Sequence, residues 1–189
     1  MAWGFIGDEP VEISSVERDI RARIGSYEAD VHASGVMTNI YRVASILRYH
    51  MEREVLGEYG LSCTAFIVLF TLWVWGDMEP QRLASKAGVT KGTLTGVVKT
   101  LERRGLCTRQ GHPQDRRRAI VSLNDEGARV VEKVAPLYNR EESRLVAGMD
   151  TETQIALAAS LRMIVATGVQ LRSASLRGES AAEADAQEG

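Results

Sequence analysis

Gly88-Val89-Thr90-Lys91-Gly92-Thr93-Leu94-Thr95-Gly96-Val97-Val98-Lys99-Thr100-Leu101-Glu102-Arg103-Arg104-Gly105 is the stretch on which the reading of the chain turns. Thr90 is a helix-capping residue type, because its hydroxyl can accept from a backbone N–H that the first turn leaves without a partner. Gly105 suits the left-handed conformation that closes a helix. Between them, Leu94, Val97, Val98 and Leu101 recur at helical spacing and share one face. The other face shows Lys91, Gly92, Thr93, Thr95, Gly96, Lys99 and Thr100, with no acid until Glu102. Two glycines inside a helix cost roughly 1 kcal/mol each relative to alanine. Packing or close contact with a groove is the better account of Gly92 and Gly96. Hydroxyl and ammonium groups on such a face suit phosphates and base edges in a major groove.

Working outward, Pro80 suits the first turn of a short helix ending at Gly88. Its Leu83, Ala84 and Ala87 can pack on the apolar face of the first stretch. Downstream, residues 106–110 are β-like, residues 111–116 have turn chemistry, and residues 119–123 alternate like a returning strand. Two short helices joined by a tight turn and followed by a basic hairpin describe a winged helix-turn-helix. The fold class expected is mainly α with a small β-hairpin wing.

Net charge is −2 over 189 residues, which taken alone argues against a nucleic-acid partner. Its distribution argues the other way. Residues 80–123 hold ten Lys/Arg against two acids, and the rest of the chain holds 13 against 23. A basic block in an acidic frame is an electrostatic footprint for a polyanion. The run His112-Pro113-Gln114-Asp115-Arg116-Arg117-Arg118 sits at the hairpin tip. Three consecutive arginines repel one another without an anionic partner, and a narrow minor groove supplies one. Asp115 can orient an arginine by a charge-assisted hydrogen bond.

Residues 61–123 resemble the MarR family of bacterial regulators. The resemblance is carried by Pro80-x-x-Leu83-Ala84, residues 88–95, Leu101-Glu102-Arg103-Arg104-Gly105-Leu106, Asp115-Arg116-Arg117-Arg118 and Leu123-Asn124-Asp125-Glu126-Gly127. It implies a two-fold dimer on double-stranded DNA with a pseudo-palindromic operator. The helix residues Thr90, Lys91, Gly92, Thr93, Thr95, Gly96 and Lys99 would enter the major groove, and Asp115, Arg116, Arg117 and Arg118 would form the wing contact. Asp115 and Arg117 fall on the family's Asp-x-Arg wing-tip pattern. Gly96 departs from the polar residue common there, and Lys99-Thr100 replaces a frequent Asp-Arg pair. The resemblance also implies a small aromatic or amphipathic effector, for which Tyr41, Cys63, Phe66, Phe70 and Trp73 are the candidate lining.

The flanks read as helical arms, residues 33–60 and 124–172, around the lobe at 61–123. A helix is expected from Ser15 through Val31, within an N-terminal extension over 1–32, and another from Met37 to Val55. Ser62, Asn124 and Asp150 can each cap a helix, and Pro136 should kink or break the one it falls in. The stripes Met37, Ile40, Ala44, Leu47, Met51, Val55 and Ile155, Ala159, Leu161, Val165, Gly168, Leu171 offer surface for both core and dimer. Residues 173–189 have the composition of a disordered acidic tail.

His32, His50 and His112 are scattered, and neither nucleophile-base spacing nor a glycine-rich phosphate loop occurs. An enzyme is not expected, nor a cofactor, a metal or a catalytic residue. Cys63 and Cys107 are too few for a disulfide framework and lack metal-ligand spacing. Cys63, near a helix start where the dipole can lower a thiol pKa, is a candidate redox sensor beside Cys107. The N-terminus does not read as a secretion signal, and no uninterrupted apolar run reaches the roughly 18–20 residues of a membrane helix. The expectation is a cytoplasmic, ligand-released repressor, with a redox-responsive regulator or a winged-helix protein-interaction module as alternatives.

Overall fold

The computed structural model describes residues 15–24, 30–112 and 115–187. The readings placed on residues 1–14 and on Tyr27 lie outside the described residues, as do the side chains of Asp115, Arg116 and Arg117. The order is α1 (Ser15–Ile24), α2 (Val31–Glu54), a 3-10 turn (Leu56–Tyr59), α3 (Cys63–Trp75), α4 (Pro80–Lys86), α5 (Lys91–Arg103), β1 (Cys107–His112), β2 (Asp115–Leu123), α6 (Asp125–Leu145) and α7 (Thr151–Gln187). The chain divides into two compact units, Met1–Asn139 and Arg140–Gly189.

In the first unit the caps act as their chemistry dictates. Ser62 Oγ accepts from Ala65 N at 3.2 Å, Thr90 Oγ1 from Thr93 N at 3.1 Å, and Asn124 Oδ1 from Gly127 N at 2.9 Å. Asp30 does the same for His32 N and Ala33 N, and these two backbone bonds hold its carboxyl below the ordinary aspartate range. That cap corrects the expected first helix: α1 ends at Ile24, and Val31 opens α2 instead.

The core lies where α3, α4, α5 and the hairpin meet. Leu69, Leu72, Leu83, Leu94, Leu101 and Val121 are almost completely buried in it. α3 is apolar nearly all round, and its one hydroxyl in the core, Thr71, donates to Ile67 O at 2.7 Å. A buried polar atom is tolerated because it is paired. The α2 stripe divides along its length. Met51 and Val55 are buried and Leu47 packs against the core, whereas Met37 is exposed beside Val36, Tyr41 and Val43. The hairpin is antiparallel from Cys107↔Leu123 to Gly111↔Ala119, with an irregularity at Gly111/His112. Met78 adds a short third rung by exchanging two backbone hydrogen bonds with Val121.

Pro136 lies inside α6, and of the kink or break expected there the helix is not broken. Two other sequence expectations are corrected. α7 runs on as helix to Gln187, where a disordered tail was expected from residue 173. The segment is rich in Ala, Glu and Ser and holds no proline, and extending an existing helix requires no new nucleus. Thr151–Ala174 is also long and apolar enough, by length and composition, to cross a membrane, and no residue of its apolar window is buried in the chain. Counting uninterrupted runs missed it, because Arg162 and several small residues interrupt the sequence without ending the apolar character.

In the second unit, Asp150 Oδ1 caps α7 by accepting from Thr153 N at 2.8 Å. Ile155, Leu157, Leu161, Met163, Val165, Val169 and Leu171 are all exposed.

Candidate nucleic-acid interface

α5 presents the face that its sequence implied. Leu94, Val98 and Leu101 are buried, while Lys91, Gly92, Thr93, Thr95, Gly96, Lys99 and Thr100 are exposed, as is the cap Thr90. Most of the threonine hydroxyl protons are already committed. Thr95 donates to Lys91 O at 2.9 Å, Thr100 donates to Gly96 O at 3.1 Å, and the Thr90 and Thr93 hydroxyls share a bond of 2.9 Å. What the face offers outward is therefore oxygen lone pairs, threonine methyls, the one hydroxyl proton that the Thr90–Thr93 pair leaves over, and the two lysine ammonium groups. Lone pairs can accept from the exocyclic amines of cytosine or adenine, and methyls can pack on thymine. Arg103 folds back along the same helix, with Nη2 3.2 Å from Thr100 Oγ1.

Gly92 and Gly96 have no internal justification. A Cβ on Gly96 would meet nothing within 4 Å, and one on Gly92 only Thr90 Oγ1 at 3.9 Å. The helix carries the cost of both glycines without any packing gain inside the chain.

The wing is longer than the sequence suggested. Residues 115–118 belong to β2, and the connection shrinks to the two residues between His112 and Asp115. Arg118, one of the residues expected in the wing contact, has a partner within the chain: its guanidinium pairs with the Glu79 carboxylate at the start of α4. It braces the hairpin against the helix-turn-helix, and its charge is already partnered. Glu79 had no sequence signal beyond preceding Pro80.

The candidate ligand residues come together only in part. Phe66 stacks on Tyr138 with centroids 4.7 Å apart, Phe70 lies 5.8 Å from Phe66, and Trp73 lies 5.9 Å from Phe70. This ladder runs from buried Phe66 to half-exposed Trp73. Tyr138 was missed, and Tyr41, 74% exposed on α2, makes no ring contact with the ladder among the described residues. Cys63 is buried, its Sγ donating to Arg48 O at 3.6 Å and its backbone N to Glu52 Oε1 at 2.9 Å.

On balance, the surroundings of neither thiol lower its pKa. Burial, followed by the Glu52 carboxylate, pushes the Cys63 thiol up, against the lowering expected from a helix start. Burial, with Glu102 nearby, pushes Cys107 to about 11. The thiolate is the reactive form, so both should be inert near neutral pH. Peroxide is expected to leave DNA binding unchanged; release that disappears in a Cys63→Ser, Cys107→Ser double variant would contradict this.

Comparison with known proteins agrees with this geometry. Residues 61–119 match the model of the MarR family. The chain is 39% identical over 135 residues to the uncharacterised HTH-type transcriptional regulator YwaE of Bacillus subtilis, covering 71% of this chain and 79% of that one. Among solved structures, Sco3205 of Streptomyces coelicolor, a MarR family transcriptional regulator in complex with DNA, superposes with a TM-score of 0.67 at 22% identity, over 84% of this chain and 91% of that one. Bordetella bronchiseptica BpsR, whose DNA binding is regulated by 6-hydroxynicotinic acid, gives 0.65 at 22% identity, over 68% and 91%. The chain described here belongs to the MarR family of winged helix-turn-helix transcriptional regulators.

Proposed function

We propose that this DNA-binding regulator acts as a cytoplasmic homodimeric repressor, released from a pseudo-palindromic operator by a small aromatic or amphipathic ligand. The observation that carries the reading is the two-sided α5, buried through Leu94, Val98 and Leu101 and open through Lys91, Thr95, Gly96 and Lys99. One such helix reads few base pairs; two related by a two-fold axis read half-sites about one helical turn apart. The apolar faces left open on α2 and on α7 are surface of the kind a self-complementary interface requires. Thr90, Lys91, Gly92, Thr93, Thr95, Gly96 and Lys99 are assigned to the major groove, and Asp115, Arg116 and Arg117 to the wing contact. The Phe66–Phe70–Trp73 ladder is the proposed stacking surface for a planar ligand, in keeping with the hydroxynicotinic acid that regulates BpsR. Ligand binding would favour a spacing of the two reading helices that no longer fits the grooves.

The test is a gel-shift titration of the DNA upstream of the protein's own gene across a salt series. Binding should exceed that of competitor DNA, and Lys91→Ala should flatten the log–log salt slope by about one per half-site, about two for the dimer. Equal binding to fragment and competitor would overturn sequence specificity. An unchanged slope would remove Lys91 from the phosphate contacts.

A further inference from the structure

The C-terminal end of α5 is tied down from two directions. On one side, Arg104 donates from Nη1 to Gly60 O at 2.5 Å and from Nη2 to Tyr59 O at 2.6 Å. These are the final carbonyls of the 3-10 turn that continues α2, and Gly60 closes that turn at φ 59°. Carbonyls at a helix end carry partial negative charge, so a guanidinium is the matched partner, and its rigid fork reaches both at once. A Cβ on Gly60 would stand 3.5 Å from the same guanidinium. On the other side, Asn124, which caps α6, donates from Nδ2 to Gly105 O at 2.6 Å. Between the two, Gly105 turns at φ 66° and Leu106 N bonds back to Leu101 O at 3.0 Å.

Arg104 thus differs from the other exposed cations of the reading helix. Arg103, its neighbour, bonds within α5, to Lys99 O and Thr100 Oγ1. Arg104 spans 44 and 45 residues to reach the segment after α2. It is a direct polar link between the turn that follows the arm helix and the helix that would read DNA, and both its bonds are to backbone. A change of tilt in α2 that displaced Tyr59 and Gly60 would be carried by the fork into the last turn of α5.

We propose that Arg104 is a positioning residue: it fixes how α5 is presented relative to α2 and couples movement of the arm to the reading helix. The inference rests on the DNA-binding reading above and adds the residue through which arm and reading helix communicate. Specific readout needs the helix held in one orientation, whereas attraction of a basic surface to phosphates does not. Arg104→Lys keeps the charge, loses the fork and reaches at most one carbonyl well.

The experiment compares full-length wild type with Arg104→Lys on two duplexes: one enriched by the wild type from a random-sequence pool, and one unselected duplex of the same length. Expected is a loss of about tenfold per half-site on the enriched duplex, about 100-fold for the dimer, the scale of one charge-assisted hydrogen bond in each protomer. Affinity for the unselected duplex and the salt slope should not move. Affinity within twofold of wild type on both duplexes would overturn the proposal. So would parallel losses on both, which would make Arg104 a phosphate contact or a purely structural residue. Amide hydrogen exchange on the DNA-free proteins gives a second decision: residues 100–104 should exchange faster in Arg104→Lys while α3 is unchanged, and identical exchange would overturn the clamp. A pool from which the wild type enriches nothing would count against the DNA reading, and the exchange comparison would still decide the role of Arg104.

Discussion

Replacing Gly127 with alanine should destabilise the protein by about 3 kcal/mol, the upper end of what forcing one extra carbon into a packed site costs. Gly127 lies in the first turn of α6 and is buried. A Cβ there would overlap the Leu106 carbonyl oxygen and stand 2.7 Å from Leu123 Cδ1. The obstacle is backbone, and it cannot rotate away as the end of a side chain can. The Leu106 peptide is itself held by Leu106 N→Leu101 O at 3.0 Å, and α6 is held by the Asn124 cap at 2.9 Å. Either α6 or the turn into β1 must yield. Helix propensity alone would favour alanine by about 1 kcal/mol, so a stabilised variant would mean that this approach is not as close as described. The measurement is a thermal or denaturant melt, and at about 2–4 °C per kcal/mol for a chain of this size the midpoint should fall by roughly 6–12 °C.

The same corner shows which contacts the sequence made readable. Caps are local: Ser62, Thr90, Asn124 and Asp150 each bond to an N–H three residues on, so residue type and spacing are enough to find them. The inner face of α5 was legible for the same reason, since helical periodicity is a short-range property. Bonds across the fold left no such trace. Arg118 and Glu79 are 39 residues apart, Arg104 and Tyr59 are 45 apart, and nothing in either member's neighbours names its partner. Tyr138 was missed from the aromatic ladder for that reason. The wing was read as a charged loop because its arginines hide the alternation that marks a strand, although backbone pairing to Cys107–His112 is indifferent to side-chain charge. The tail was misread because composition tests whether a segment can build its own core, which a continuing helix does not have to do.

Gly96→Ala should have the opposite sign in the two measurements that matter. No neighbour lies within 4 Å of where the new Cβ would be, and the position is in the middle of α5. Nothing inside the chain resists the methyl, so the protein should become more stable by about 1 kcal/mol through backbone entropy and helix propensity. DNA affinity should fall. The site is flanked by Thr95, Lys99 and Thr100 on the open face, and Gly96 is the low point between them. If that face enters a major groove, a methyl group there displaces the helix from the base edges, and every contact along α5 lengthens with it. A loss of about 1.4 kcal/mol at each half-site would give roughly 100-fold for a two-fold dimer. Melts and binding titrations on one preparation separate the two effects, because a misfolded variant cannot be both more stable and weaker in binding. A variant that gains stability and binds as well as wild type would show that α5 does not approach DNA at Gly96, and the groove-facing assignment of Thr95 and Lys99 would go with it.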